Sequence, residues 1–455
     1  MLHLKIVVMK SIFKKLALVI AIALAFVVYS YYPKLDIITG YASKSVASAM
    51  FLAHRTQGSA ETGDNGFSPV NLAHNTVNVE DKSVTSKVFG LKKRTAVYRE
   101  GLGAVLMIDG VEDDLKYEIP LRNFTKITKP YPYGDLAQKD TLFAELDYKK
   151  INKAVADAFD NKGLSVKKTR TVLVLYKDHI IAEKYADGFD ANTPILGWSM
   201  TKSITATMFG ILQKQGKLSV NQSHLFKDWE QDERSKITLS DLLHMNSGLE
   251  WDENYDELSG VTRMLFLDKD MSLSQQKMPA KFKPNTHWNY SSGTTNLLSG
   301  YLRTKFATHQ DYLDFWYTAL LDKIGMHTAL IETDLAGNYV GSSYGWASTR
   351  DWAKFGTLYL HRGNWNGEQI IDSTWVDYVK TPTNTSNGRY GAQFWLNAGG
   401  VYPDVPKDLF SCNGYQGQMV FIIPSKNLVI VRTGLTEDPE FNFNDFLKGI
   451  LEGVK

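Results

Sequence analysis

Two hairpin-like segments enclose a long helical stretch, and this arrangement most limits the folds open to the chain. Residues 171–185 have the strand pattern of a β-hairpin around Lys177-Asp178-His179, and residues 419–431 form a second hairpin. Residues 199–380 between them are mostly helical by period, and a helix over 444–454 closes the chain. The order predicts one sheet assembled from both ends of this segment, with helices packed around it.

Composition excludes several classes of function. The 455 residues are enough for two or three domains, or for one large domain with additions. The net charge of +2, from 51 basic and 49 acidic residues, argues against a nucleic-acid partner. Cys412 is the single cysteine and the 10 histidines are scattered, so we expect no disulfide, no metal site and no cofactor.

The N-terminus resembles an export signal. Lys5, Lys10, Lys14 and Lys15 precede an uncharged, mostly apolar run over 16–32. Its 17 residues sit at the lower limit for a spanning helix and exceed a usual signal-peptide core. We therefore predict a signal-anchor in the inner membrane over residues 1–35, with a signal peptide cleaved on export as the alternative. The lysines would keep this end in the cytoplasm and place the rest of the chain in the periplasm.

The first candidate for chemistry is Ser199-Met200-Thr201-Lys202, at the expected start of a helix. A serine and a lysine three residues apart on a helix lie on one face, one turn apart. A serine hydroxyl becomes a useful nucleophile when a base takes its proton, and a lysine of lowered pKa can be that base. Ser-x-x-Lys also occurs by chance on surface helices, so the motif needs support from elsewhere in the chain.

A tyrosine supplies the second candidate, in Trp288-Asn289-Tyr290-Ser291-Ser292-Gly293. This loop precedes an expected helix over 294–302 and can present the Tyr290 hydroxyl to the nucleophile. A phenolate near a lysine ammonium is stabilised, so Tyr290 and Lys202 can share one proton and act as base and then acid. The alternative is that Tyr290 packs with Trp288 in an aromatic cluster.

The third candidate is the glycine-rich segment 412–418, which leads into the penultimate strand. Gly414 and Gly417 allow a backbone to approach a ligand closely. The Tyr415 amide and the Ser199 amide are our candidates for the two halves of an oxyanion hole. A glycine-rich entry to a hairpin is the ordinary alternative.

Taken in order and spacing, these three segments resemble the penicillin-recognising serine hydrolases. The likeness is to the branch with class C β-lactamases, D-Ala-D-Ala carboxypeptidases, family VIII-type esterases and 6-aminohexanoate-dimer hydrolases. Residues 242–249, which read LLHMNSGL, also resemble a segment of that family. The resemblance covers about 150–455. It implies an α+β, β-lactamase/transpeptidase-like fold, with an antiparallel sheet, flanking helices and an all-helical subdomain over 151–455. Residues 36–150 form an N-terminal extension of mixed α/β character that carries no recognisable motif. We expect a short helix over 45–53 within it.

The same resemblance implies the roles of the residues. Ser199 matches the acylated nucleophile, Lys202 its activating partner and Tyr290 the general base or acid, and the order in which the last two act stays open. Ser292, Asn413 and Gly414 match substrate-binding positions. Residues 251–255 resemble the loop that brings a tyrosine into the pocket of the 6-aminohexanoate-dimer hydrolases. Tyr255 is therefore a candidate to bind a substrate amide, with an exposed loop as the alternative.

Two departures from the family pattern bear on the substrate. Cys412-Asn413-Gly414 stands where the family has Lys/His-x-Gly, so the cation that grips a substrate carboxylate is missing. Ser292 stands where β-lactamases usually have asparagine. We therefore predict an exported hydrolase of small esters, amides or peptides. The alternatives are a β-lactamase or D-Ala-D-Ala carboxypeptidase, and a non-catalytic member that binds peptidoglycan or protein.

One further motif favours a different fold. Gly341-Ser342-Ser343-Tyr344-Gly345 matches the Gly-x-Ser-x-Gly elbow of α/β-hydrolases. That fold needs an acid and then a histidine after the serine, and His361 is the only later histidine. It comes too early for the remaining strands, so we interpret residues 341–345 as a turn before a helix.

Overall fold

The computed structural model describes residues 2–108, 110–111, 116, 119–161, 166–437 and 441–455. The strands, in chain order, are β1 Ala73–Asn78, β2 Ser83–Val88, β3 Leu91–Arg99, β4 Gly103–Leu106, β5 Thr169–Tyr176, β6 His179–Tyr185, β7 Ile195–Leu196, β8 Leu330–Ile331, β9 Gly345–Ala347, β10 Asn364–Trp365, β11 Glu368–Gln369, β12 Trp395–Leu396, β13 Phe410–Gly414, β14 Gln418–Ile423 and β15 Leu428–Gly434. The α-helices are α1 Leu2–Tyr31, α2 Lys34–Phe51, α3 Gln57–Thr62, α4 Tyr148–Asp157, α5 Thr201–Lys214, α6 Leu239–Leu243, α7 Gly260–Leu267, α8 Leu273–Gln276, α9 Ser292–Arg303, α10 His309–Trp316, α11 Thr349–Leu360, α12 Ser373–Lys380 and α13 Phe443–Leu451.

The main sheet joins the two ends of the segment, as the sequence predicts. Its strand order is β12-β13-β14-β15-β5-β6, and every neighbouring pair is antiparallel. The β5–β6 hairpin turns at Lys177 and Asp178, whose φ angles are 46° and 65°. Positive φ at both central residues suits the right-handed twist of the two strands. The pairing of β5 with β15 closes the sheet across more than 250 residues of chain.

Both faces of this sheet are buried, which explains why its central strands are apolar at nearly every position. On β5, Leu173 and Leu175 point into one core, while Val172 and Val174 point into the other. Helix α11 packs on the first face, and α4 and α13 pack on the second. Side chains alternate across a strand with period two, so a sheet covered on both faces needs apolar residues in both sets.

The helical stretch packs against the first face around α5. The α5 side chains from Thr201 to Leu212 are all buried, so this helix runs through the core. Helix α9 packs directly on α5 and also contacts α6, α7, α8 and α10. Short strands β7, β9 and β8 form a small sheet beside the start of α5. This arrangement places the N-terminal end of α5 at the junction of the helices and the main sheet.

The N-terminal extension has its own four-stranded antiparallel sheet, β1-β2-β3-β4, with α2 packed on it. Helix α2 begins at Lys34, eleven residues before the helical segment expected at 45–53. A buried ion pair, Lys44 Nζ to Glu332 Oε2 at 2.6 Å, joins α2 to the rest of the chain. The division at 35 and 150 stays a prediction, because the buried apolar residues of this sheet and α2 form one core with α7 residues such as Val261.

Helix α1 contains most of the apolar run at 16–32. Among the helices in the described part of the chain, none combines the length and apolar composition that a membrane crossing requires. The signal-anchor over residues 1–35 stays a prediction.

Candidate active site

Ser199 lies in a tight turn between β7 and α5. The Gly197 amide donates to the Gly345 carbonyl at 2.8 Å, and the Thr201 hydroxyl donates to the Trp198 carbonyl at 2.7 Å. Gly197 is required here, because a Cβ at this position would lie 2.3 Å from the Trp352 ring. The turn is thus fixed on both sides of the serine.

Lys202 occupies the first turn of α5 and is only 1% exposed. Its Nζ lies 2.9 Å from each of three oxygens: Ser199 Oγ, Ser292 Oγ and the Ser342 carbonyl. Burial lowers the pKa of Lys202 to about 8, against an opposing effect of the Glu253 charge. A lysine with this pKa holds a usable fraction of neutral amine near neutral pH.

The three contacts determine where the lone pair of that amine points. The Ser342 carbonyl can only accept a hydrogen bond. The Ser292 hydroxyl gives its own hydrogen to Glu253 Oε1 at 2.5 Å, so it too accepts from Lys202. A neutral amine has two hydrogens, and both are then used. Its lone pair is left facing Ser199 Oγ, which is the geometry for taking the serine proton.

Glu253 is the functional side chain that the sequence analysis missed. Its Oε2 accepts from the Ser292 amide at 2.9 Å and from Trp251 Nε1 at 2.5 Å. Its Oε1 accepts from the Tyr255 hydroxyl at 2.9 Å as well as from Ser292. The carboxylate therefore fixes the direction of the Ser292 hydroxyl, and through it the orientation of Lys202. Ser292 belongs to this network, whereas the sequence predicted it as a substrate-binding residue.

Tyr290 approaches Ser199 from the loop before α9. The Met245 carbonyl accepts from the Asn289 amide at 2.9 Å, and Met245 Sδ accepts from the Ser291 amide at 3.3 Å, so both neighbours of Tyr290 are held. Lys202 Nζ lies 4.9 Å from the centre of the Tyr290 ring. Burial raises the pKa of Tyr290, as does the Glu253 charge, while a hydrogen bond with Ser199 lowers it less. The stabilised phenolate expected from sequence is therefore disfavoured, and Tyr290 is a neutral phenol.

The end of β13 comes close to the turn that holds Ser199. A Cβ at Gly414 would lie 2.1 Å from the Gly197 carbonyl oxygen, so only glycine permits this approach. Tyr415 follows Gly414 directly, so its amide is next to this close approach, and its ring contacts that of Trp198, the residue before Ser199. Two backbone amides beside a serine are the usual donors to the oxyanion of acyl transfer.

Tyr255 and Tyr415 are the exposed members of the site, at 45% and 42%. Their rings stack with centroids 6.2 Å apart and planes 18° apart. The Tyr255 hydroxyl also lies 3.4 Å from Ser292 Oγ, so the predicted pocket tyrosine is close to the hydrogen bonds of Lys202. Asn413 instead accepts from the Ser411 hydroxyl at 2.6 Å, a contact within its own strand. Gly414 serves the close approach to Gly197.

Two groups near Lys202 belong to segments for which the sequence predicted other roles. Residues 251–255 were singled out for Tyr255 alone, and residues 341–345 were interpreted as a turn. The structure makes Glu253 and the Ser342 carbonyl parts of the lysine environment. A backbone carbonyl leaves no signal in residue identity, whereas a glutamate two residues before a pocket tyrosine is a signal that could have been used. Among the described residues, no group of three or more His, Cys, Asp or Glu side chains is arranged to hold a metal ion.

Comparison with known proteins finds relatives of the kind that the sequence resembles. A curated relative, an uncharacterized protein of Alkalihalophilus pseudofirmus, is 23% identical and aligns over 62% of this chain and 90% of that protein. A putative 6-aminohexanoate-dimer hydrolase from Bacillus anthracis has a TM-score of 0.53 at 22% identity, covering 63% of this chain and 78% of the other. A family VIII carboxylesterase has a TM-score of 0.52 at 17% identity, covering 69% and 98%.

A putative β-lactamase from Bacteroides dorei has a TM-score of 0.56 at 14% identity and covers 68% of this chain and 99% of its own. These likenesses confirm the predicted β-lactamase/transpeptidase-like α+β fold. The model of the family described as Beta-lactamase matches residues 162–446, which include Ser199, Lys202 and Tyr290. The chain therefore belongs to the β-lactamase family of serine hydrolases.

Proposed function

We propose that this chain hydrolyses small uncharged esters or amides through an acyl-enzyme on Ser199. The observation that carries the proposal is the 2.9 Å contact between Ser199 Oγ and the Nζ of a buried lysine whose pKa is about 8. A hydroxyl beside an amine of this pKa is an activated nucleophile.

In the acylation step, Lys202 Nζ takes the Ser199 proton as Oγ forms a bond to the substrate carbonyl carbon. The Ser199 and Tyr415 amides bind the oxyanion. Lys202 acts first because its pKa is lowered while that of Tyr290 is raised. When the tetrahedral intermediate collapses, the Tyr290 hydroxyl gives its proton to the leaving alcohol or amine. The Lys202 ammonium then returns a proton to Tyr290.

Deacylation repeats the chemistry with water as the nucleophile. Tyr290 takes a proton from water and passes its own proton to the neutral Lys202 amine as the water oxygen bonds to the acyl carbon. The new tetrahedral intermediate then collapses, and the bond to Ser199 Oγ breaks. Ser199 recovers its proton from Lys202, and the acid leaves. The proton thus passes through Tyr290 and Lys202 in the reverse of the acylation direction, as microscopic reversibility requires.

The substrate class follows from the residues near Gly414 and from the two exposed tyrosines. Cys412 is buried and Asn413 is hydrogen-bonded to Ser411, so this strand offers no cation to a carboxylate. Tyr255 and Tyr415 offer aromatic surface and hydroxyl groups in its place. We expect p-nitrophenyl butyrate or an uncharged short-chain amide to turn over and nitrocefin to react slowly. Nitrocefin hydrolysis on the order of 10 per second would overturn this assignment in favour of a β-lactamase.

The test of the nucleophile uses two serine variants. Ser199→Ala should abolish hydrolysis of the preferred substrate and leave the thermal unfolding transition in place. Ser343→Ala is the matched control, because Ser343 is the serine of the Gly-x-Ser-x-Gly segment and contacts the Ser342 hydroxyl at 2.8 Å. It should keep its activity. Loss of activity in Ser343→Ala alone would support the rival elbow, and no turnover or acyl labelling by the wild type would support a binding role.

Export to the periplasm is proposed from the sequence alone. It rests on the four lysines that precede the apolar run at 16–32. Cell fractionation with an N-terminal sequence of the mature protein tests it. Recovery from the cytoplasm with the N-terminus intact would contradict export.

A further inference from the structure

Trp198, the residue before the nucleophile, has an unusual backbone conformation. Its φ angle is +48°, in the left-handed region that favours glycine. A bulky residue stays in this region only when its surroundings hold it there. The direction of the Ser199 side chain depends on this torsion, because the two residues share a peptide bond. What holds Trp198 therefore influences where Ser199 Oγ points.

The indole of Trp198 is packed among three tyrosine rings. Tyr41 stacks on it with centroids 5.9 Å apart and planes 21° apart. The rings of Tyr344 and Tyr415 also pack on the indole, with centroid distances of 6.1 Å and 5.8 Å. Tyr344 and Tyr415 come from segments close to the site, whereas Tyr41 comes from α2 in the N-terminal extension, outside the part that matches the family model.

Helix α2 is anchored firmly enough to make Tyr41 a fixed support. Glu332, which is 1% exposed, accepts from Lys44 Nζ at 2.6 Å and from the Ser48 hydroxyl at 2.7 Å. Tyr41 itself is braced by Phe67, whose ring is perpendicular to it at 5.5 Å. Lys44 and Ser48 lie on α2 one and two turns after Tyr41, on the same side of the helix.

We propose that Tyr41 is a positioning residue for Ser199, acting through the indole of Trp198, so that the N-terminal extension completes the active site. The proposal rests on the proposed function of Ser199. It assigns to the extension a role in the rate of acylation, since misplacement of a nucleophile by about 1 Å can cost about a hundredfold in rate.

The experiment compares full-length variants at one pH, by kcat, KM and the rate of Ser199 labelling with a fluorophosphonate. Tyr41→Leu fills the space without the stacking ring, and should lower kcat and the labelling rate about tenfold while KM changes little. Tyr41→Phe keeps the ring and should restore both. Phe51→Leu is the control, because Phe51 lies on the same helix and its ring packs on Tyr98 at 6.2 Å. It should leave kcat unchanged.

A double-variant cycle with Trp198→Gly separates positioning from general loosening. Tyr41 acts only through the indole, so Tyr41→Leu should cause no further loss in a Trp198→Gly background. Multiplicative losses, or a Tyr41→Leu enzyme as active as Phe51→Leu, would overturn the proposal. If Tyr41→Leu does not give a cooperative unfolding transition, Tyr41→Met replaces it with the same expectation. A wild type that is not labelled at Ser199 would instead overturn the proposed function.

Discussion

Replacing Glu253 by glutamine should change the pH dependence of the reaction in two opposite ways. Ser292 Oγ lies 2.9 Å from Lys202 Nζ and 2.5 Å from Glu253 Oε1, so the two charges are no more than about 5 Å apart. At an effective dielectric constant of about 20, such a pair interacts by about 3 kcal/mol. Glu253 is half-buried, and solvent screening reduces this to about 1 kcal/mol, or roughly one pH unit.

The first effect concerns the pKa of Lys202. Without the carboxylate, the pKa should fall from about 8 by roughly one unit. The second concerns orientation, because the Ser292 hydroxyl loses its charged acceptor and becomes free to donate to Lys202. The lone pair of the amine is then no longer confined to Ser199, and the alkaline plateau of kcat/KM should fall about tenfold. At pH 6 the larger neutral fraction offsets this loss, so the two enzymes should have similar activity there.

The assay is kcat/KM for p-nitrophenyl butyrate between pH 5.5 and pH 9.5, corrected for spontaneous hydrolysis. Glu250→Gln is the control, since Glu250 is an exposed carboxylate near the same loop that pairs with Lys281 at 3.1 Å. Its profile should match the wild type. Two results for Glu253→Gln would refute the assigned role of the carboxylate. One is a pH profile identical to that of the wild type, and the other is a profile whose rising part moves to higher pH.

Three further predictions concern stability and the approach of β13. Gly414→Ala should lower kcat/KM about a hundredfold and the unfolding free energy by only about 1–3 kcal/mol, because the new Cβ would lie 2.1 Å from the Gly197 carbonyl oxygen. Full activity of this variant would contradict the need for a close approach between Gly414 and Gly197. Glu332→Gln should cost about 3 kcal/mol in urea unfolding at pH 7, because it leaves the buried Lys44 ammonium without its partner. Between pH 8 and the ordinary lysine pKa of 10.5, Lys202 binds fewer protons in the folded than in the unfolded protein, so stability rises with pH in that window. Relative to Lys202→Met, the wild type should gain roughly 2.5 kcal/mol between pH 7 and pH 10, and a flat difference would contradict the lowered pKa.

The β5–β6 hairpin was predictable because strong period-two segments flank a two-residue turn at Lys177 and Asp178. Strands β7, β8 and β9 were not, because two or three residues are too few to show a period. The early part of α2 was missed for a different reason. It contains Gly40, a poor helix former, which the fold uses for a close contact with Leu106 and Phe266.

The candidate site also contains some residues that the sequence predicts and others that it does not. Ser199, Lys202 and Tyr290 lie in segments whose spacing resembles a known family, so their meeting was expected before the structure. The Ser342 carbonyl contacts Lys202 directly, and Glu253 is linked to it through Ser292. Both depend on loop conformations that only the assembled fold determines. The pKa of Tyr290 is raised by burial, and the spacing of motifs along the sequence does not reveal how deeply a side chain is buried.

Peptide mapping of the covalent adduct is the most direct measurement of the central claim. The full-length protein is incubated with a fluorophosphonate, digested and sequenced by tandem mass spectrometry. The phosphonyl group should be found on Ser199, with a labelling rate that rises about tenfold per pH unit below the Lys202 pKa of about 8. An adduct on Ser343 or another residue, or no adduct at any pH, would contradict a lysine-activated Ser199.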